Sequence, residues 1–184
     1  MRIYSEGDES ETGQSQPSGK ISLRKLVLED AKKIFQMSCE DSLARFLPDQ
    51  VYRNEEEAAE VLAHLIAAYV TPIELAQQPF VLGVILDGGE LIGHVGLSQI
   101  EQGIEIGYAI EQKHQGRGYA REAVSLMVQF VETNTRLPEI FGIVDPANKA
   151  SISVLEKCGF TREEDFHCKL VYRKGLIHKL LVDD

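Results

Sequence analysis

Apolar residues that alternate with polar ones mark strands, and apolar residues that recur at 3.6-residue spacing mark helices. Both patterns are sharp in the middle of this chain. From residue 103 to 110, Ile104, Ile106, Tyr108 and Ile110 alternate with Glu105, Gly107 and Ala109, predicting a strand with one bulky face and one small face. From 120 to about 133, Ala120, Ala123, Val124, Met127, Phe130 and Val131 share one stripe of a predicted helix. Between them stands Gln115-Gly116-Arg117-Gly118-Tyr119-Ala120, so the central unit reads strand, glycine-rich turn, helix.

The flanking pattern supplies the other elements. Residues 21–28 alternate well enough for a first strand, and Asp30 opens a helix carrying Ile34, Phe35 and Met37 that leads into a broken stretch from 41 to 49. Asn54-Glu55-Glu56-Glu57 is a helix start, with Asn54 accepting from the first turn and Glu57 reaching back. That helix runs to about Tyr69 with Ala58, Val61, Leu62, Leu65 and Ile66 on one face, and Pro72 ends it. Residues 80–86 and 91–100 form a hairpin about Asp87-Gly88-Gly89-Glu90, and a second reversal at Gln102-Gly103 begins the central strand. A buried strand at 140–144 is broken by Asp145-Pro146, and Asn148 caps a short helix that stops at Cys158-Gly159. Residues 160–172 and 176–182, joined by Arg173-Lys174-Gly175, read as a final hairpin.

The run of antiparallel strands before the glycine-rich turn departs from a doubly wound dinucleotide fold, where strands and helices alternate from the start. Composition is that of an ordinary globular protein, with 184 residues, 43% hydrophobic and 26% charged. One domain over 21–184 is expected, after a flexible leader over 1–20 that is rich in Ser, Glu, Gly and Gln. A formal net charge of -10 argues against a nucleic-acid partner and is compatible with a cationic acceptor such as an amine. Cys39, Cys158 and Cys168 have no CxxC spacing, and the histidines have no metal spacing, so neither a disulfide framework nor a metal site is expected. No apolar run is long enough for a membrane span or a secretion signal, and a cytoplasmic location is expected by default.

The turn itself carries candidate chemistry. The amides of a first helical turn have no carbonyl partner within the helix, and with the dipole's positive end they favour phosphate oxygens. Gly116 and Gly118 let the backbone approach a ligand, and Arg117 can add a charge to the same anion. Glycines that merely turn the chain are the competing account. Tyr119-Ala120 lacks the Lys and Ser or Thr of a nucleotide-triphosphate loop, and Arg121 stands where the dinucleotide fingerprint needs a small residue.

Taken together, Glu105-Ile106-Gly107-Tyr108, then Gln115-x-x-Gly118-x-Ala120, then Asn148-Lys149-Ala150-Ser151 and Glu156-Lys157-Cys158-Gly159-Phe160 resemble the GNAT acetyltransferases. Within them the chain is most similar to the branch that holds the ribosomal-protein N-terminal (alanine and serine) acetyltransferases. The resemblance covers about residues 20 to 182. It implies an α/β (α+β) fold with a mixed, mostly antiparallel central sheet flanked by helices, and acetyl-CoA as co-substrate without a metal. It also implies that the pantetheine arm lies along Ile106, Gly107, Tyr108, Ala109 and Ile110. The diphosphate would then lie on Gln115, Gly116, Arg117, Gly118, Tyr119 and Ala120, with Asn148 and Ser151 near the arm.

Glu105 is the candidate proton acceptor, because it projects from the same strand beside a gap of small residues; a solvated strand glutamate is the alternative. The tyrosine that many relatives use to protonate the leaving thiolate is matched here by Leu155, so that role is vacant and Ser151 is the candidate donor. Ser151 could equally serve its own helix as a first-turn serine. The expected acceptor is a peptide or protein N-terminal α-amine, with a small-molecule amine or an idle acyl-CoA-binding module as alternatives. The protein is expected to act as a monomer or homodimer.

Overall fold

The computed structural model describes residues 20–69, 73, 75, 78–165 and 167–178. The expected leader, Pro72 and the end of the expected final hairpin therefore lie outside the described residues. The elements run β1 (Ile21–Lys25), α1 (Ala31–Ser38), α2 (Asp41–Phe46), α3 (Glu55–Ala67), β2 (Phe80–Leu86), β3 (Leu91–Ile100), β4 (Gly103–Ile110), α4 (Tyr119–Asn134), β5 (Glu139–Val144), α5 (Lys149–Lys157), β6 (Thr161–Arg162) and β7 (Leu170–Gly175). The strands form one seven-stranded sheet in the order β1-β2-β3-β4-β5-β7-β6. Among the described residues, only the β4–β5 contact is parallel. The sheet is thus mixed and mostly antiparallel, as the resemblance implies, and the β2–β3–β4 meander is the one the alternation predicts.

Side-chain alternation divides the layers. Ile104, Ile106 and Ile110 of β4 pack with Val95 and Leu97 of β3 and with Ala123, Val124, Met127 and Val131 of α4, all buried in the main core. On the other face, Leu26, Ala31, Leu62, Ile85 and Leu91 form a second cluster that holds α1 and α3 to the sheet. Asn54 caps α3 as expected, its side chain accepting from Glu57 N–H at 2.9 Å. Glu57 reaches back one residue further, accepting from Arg53 N–H at 2.6 Å. An acidic group at the positive end of a helix dipole stabilises it by several tenths of a kcal/mol.

Three expectations are corrected. The stretch from 41 to 49 is not broken throughout, because residues 41–46 form α2 before a 3-10 turn at Pro48–Gln50. The first strand ends at Lys25, and Leu28 already belongs to a 3-10 turn leading into α1. Arg173-Lys174-Gly175 is not a turn: these residues continue β7, which pairs with β5 from Glu139↔Gly175 to Val144↔Leu170. Arg173 is fixed there by Glu163 at 2.8 Å and Glu139 at 3.1 Å. The reversal lies earlier, where His167 and Cys168 take positive φ of 46° and 62°.

Candidate active site

The central fork follows from one interrupted ladder. β4 and β5 meet in register only at Glu105↔Phe141. Beyond that point their edges diverge, leaving Gly107 to Ile110 on one side and Ile143 and Val144 on the other. The space between is a cavity of about 530 Å³, within the usual range of a small-molecule site. Gly142 widens it indirectly, because Leu155 of α5 fills the place of its missing side chain; a Cβ there would lie 2.8 Å from Leu155. Leu155 is buried at 2% exposure, so this position packs the core.

Glu105 closes the base of the fork. Its half-buried carboxylate accepts from Ile143 N–H at 3.2 Å, a bond from the partner strand after ladder pairing has ceased. Burial raises its pKa above the ordinary carboxylate range, and the Ile143 amide offsets that rise only in part. A carboxylate so placed is a better base than a solvated one.

Tyr108 and Ser151 meet across the cavity, with Oη and Oγ 2.8 Å apart. Burial pushes the phenol up to about 12, against the opposing effect of the Ser151 contact, so Tyr108 stays protonated at neutral pH. The phenol's one proton can go to Ser151 Oγ or to the Ser151 carbonyl oxygen at 3.2 Å, and in the first case the serine hydroxyl is left to donate elsewhere. Sequence reasoning placed Tyr108 along the strand but missed this pairing. Alternation assigned the ring to the packed face, and only the docking of α5 brings its hydroxyl to Ser151. Asn148 caps α5 by accepting from Ser151 N–H at 3.1 Å, so its side chain also holds the serine in place.

The glycine-rich turn forms the far end of the cavity. Gly116 and Gly118 have φ of 76° and 86°, in the left-handed region that favours glycine, and Gly118 is the N-cap of α4. A Cβ at either would meet nothing within 4 Å, so both face open space that a ligand can enter. Gln115 binds Ile110 O at 2.8 Å, which ties the turn to the end of β4. Tyr119 is buried beneath the turn, its ring edge-on to His114.

Of the predicted site residues, Glu105, Ile106, Gly107, Tyr108, Ala109, Ile110, Gln115, Gly116, Gly118, Tyr119, Ala120, Asn148 and Ser151 all line this cavity. Arg117 does not; it is exposed on the outside of the turn, and Arg121, one helical turn on, takes a place in the lining. The α1–α2 segment, whose acids Glu40 and Asp41 the family resemblance puts on the acceptor side, also supplies a wall of Met37, Leu43, Phe46 and Leu47 that was not among the predicted site residues. Its anchors are long-range: Glu40 accepts from Gln112 N–H at 2.8 Å, and Lys33 binds Glu111 at 2.7 Å. Nothing local in the sequence encodes such partners. Among the described residues, Glu90, Glu111 and His114 form one group with metal-ligand atoms, but Lys113 and Lys33 already hold the two carboxylates at 2.7 Å each.

The family model for the acetyltransferase (GNAT) domain matches residues 20–161, which span β1 through the fork to α5 and the start of β6. The chain belongs to the GNAT acetyltransferase family. It is an acetyl-CoA-dependent N-acetyltransferase, and acetyl-CoA is its co-substrate. Among its relatives is the uncharacterized N-acetyltransferase p20 of Bacillus licheniformis, 27% identical over 148 residues that cover 78% of this chain and 80% of that protein. The spermidine N(1)-acetyltransferase of Escherichia coli (strain K12) is 25% identical over 143 residues, covering 78% of this chain and 74% of that protein. In fold the GNAT chain is similar to RimL, the ribosomal L7/L12 alpha-N-protein acetyltransferase in complex with coenzyme A. The two are 16% identical with a TM-score of 0.70, covering 88% of this chain and 97% of that chain. No helix among the described residues is long and apolar enough to cross a membrane.

Proposed function

We propose that this enzyme acetylates the α-amine at a peptide or protein N-terminus, with Glu105 as proton acceptor and Ser151 as hydrogen-bond donor to the departing sulfur. The observation that carries the acceptor class is the state of the acids lining the fork. Glu105 is the one carboxylate among them that sits between β4 and β5, at the base of the divergence. Glu40 is engaged by Gln112 N–H, and Asp145 by Lys169 at 2.8 Å and Ala147 N–H at 2.9 Å. A polyamine brings several ammonium groups and needs a carboxylate for each; a peptide N-terminus brings one amine to one base. An α-amine also titrates near 8, against about 10.4 for a lysine amine, so less is demanded of Glu105 to obtain the neutral nucleophile.

The residues fit the co-substrate. The open left-handed glycines Gly116 and Gly118, with the amides of the first turn of α4, would hold the diphosphate. The divergent edge of β4 from Ile106 to Ile110 would hold the pantetheine arm. Acetyl-CoA supplies an activated acyl thioester. Transfer forms a C–N bond and breaks a C–S bond, so one proton must leave the amine and the sulfur must be stabilised as it departs. Glu105 takes the proton, and Ser151, backed by Tyr108, donates a hydrogen bond to the sulfur.

The test is release of free thiol from acetyl-CoA with a panel of peptides, free lysine derivatives, spermidine and small amines, with the acetylated nitrogen located by mass spectrometry. Modification of peptide α-amines above all others is expected. Exclusive use of spermidine or another small amine would overturn the acceptor class.

A further inference from the structure

A second cavity lies beside the fork, between the sheet and the α1–α3 layer. It has a volume of about 240 Å³, below the roughly 300–1,000 Å³ of a whole small-molecule site, and so suits one group of a larger molecule. Its apolar walls are Ile34 of α1, Val61, Leu62 and Leu65 of α3 and Val81 of β2. The one charged lining residue is Asp49, which is exposed. Gln50 Oε1 and His94 Nε2 lie 2.8 Å apart, and the buried His94 Nδ1 has no partner among the described residues.

Gly107 lines this cavity and the fork alike. A Cβ on it would meet no heavy atom within 4 Å, so the strand is open there. Register places the two chambers side by side: Gly96 and Ser98, in the floor of the second cavity, pair with Gly107 and Glu105. A molecule whose amine reaches Glu105 therefore has its neighbouring atoms at the entrance to a mostly apolar chamber whose one charged residue, Asp49, is exposed.

We infer that the second cavity receives the side chain next to the acceptor amine, and that the enzyme selects acceptors in which this side chain is apolar and uncharged. The inference rests on the proposed α-amine chemistry and specifies its substrate. His94 strengthens it, because burial pushes this imidazole down to about 4 and the ring offers no positive charge to an acidic side chain at neutral pH. A lysine or arginine side chain would leave its charge beside Val61 and Leu65, a desolvation cost that no buried carboxylate in the lining offsets.

The experiment compares kcat/KM for peptides identical except at the first residue: Leu, Ala, Asp and Lys. Burying a leucine side chain corresponds to roughly a tenfold or greater preference, so Leu should exceed Asp and Lys by at least about tenfold. Val61 and Leu65 are both half-buried on α3, and Val61→Phe and Leu65→Phe each fill the cavity. Both variants should lower the Leu-to-Ala ratio while keeping acetyl-CoA-dependent thermal stabilisation, which reports that the fork is intact. Equal use of Asp or Lys, or a ratio unmoved in both variants, overturns the inference. Faster transfer from hexanoyl-CoA than from acetyl-CoA, abolished by the same substitutions, assigns the cavity to the acyl chain and overturns it as well. If peptides fail but free amines react, the α-amine reading falls; isoamylamine outpacing putrescine then upholds the apolar selection, and the reverse order ends it. Absence of transfer to either set overturns both readings.

Discussion

Glu105→Gln separates proton transfer from structure more cleanly than any other substitution in the fork. Glutamine has the same shape, and its carbonyl oxygen can accept from Ile143 N–H as the carboxylate does at 3.2 Å. The divergence of β4 and β5 should persist, while the basic oxygen is lost. A positioned general base contributes roughly 100- to 10,000-fold. At about 1.4 kcal/mol per tenfold, that is about 3–5 kcal/mol on the barrier. The pH behaviour follows from the raised pKa of Glu105. Turnover of the unmodified enzyme should climb as pH rises through that raised value, and in Glu105→Gln this limb should vanish, leaving the titration of the amine itself near 8.

Stability moves the other way. A carboxyl group whose folded-state pKa is raised contributes stability that is complete below its unfolded value and is lost as pH rises through the folded one. Above its raised folded-state pKa, the ionised Glu105 is therefore a net cost to the fold. Glu105→Gln should melt at the same temperature or higher while losing turnover. Thiol release at saturating peptide, pH-rate profiles and melting curves with and without acetyl-CoA read all three effects. Full turnover in Glu105→Gln would refute the argument. So would loss of acetyl-CoA-dependent stabilisation in step with turnover, because the carboxylate would then be supporting the fork rather than accepting a proton.

Other outcomes follow from named contacts. Ser151→Ala should lower turnover more than Tyr108→Phe, since the phenol acts through the serine hydroxyl 2.8 Å away, and a double-substitution cycle on kcat should show the two effects to be non-additive. Strict additivity would disconnect the pair. Gly118→Ala forces a side chain into φ of 86°, which costs about 1–2 kcal/mol, and should weaken acetyl-CoA binding, read as a smaller ligand-induced melting shift. An unchanged shift would remove the turn from the binding site. His94 has a folded pKa depressed to about 4, so its contribution to stability is present above the unfolded value near 6.5 and is lost as pH falls toward 4. In denaturant titrations His94→Gln should flatten the stability profile over that window; an identical slope in both proteins would refute the assignment.

Local pattern carried most of the architecture. Alternation on β4, the helical stripe on α4 and the glycine pair between them lie within consecutive residues, so their geometry follows from backbone preference and the period of burial. The ordered motifs likewise made the fork legible, and the site residues predicted from them line it with the exception of Arg117. Where the reading failed, the deciding partner was remote. Arg173-Lys174-Gly175 has the composition of a turn but pairs with β5, whose residues lie more than thirty positions earlier. The α1–α2 wall is positioned by Glu40 on Gln112 N–H and Lys33 on Glu111, contacts 72 and 78 residues apart in sequence.

The sequence alone therefore determined the strand–turn–helix unit and its place in a largely antiparallel sheet, because those depend on neighbours along the chain. The tertiary structure alone decided that β4 and β5 part after a single register pair. It also brought the Tyr108 hydroxyl to Ser151 and opened Gly107 onto two adjoining chambers. Such features are set by how distant surfaces dock and how much space is left between them, and residue order carries no local signal for either.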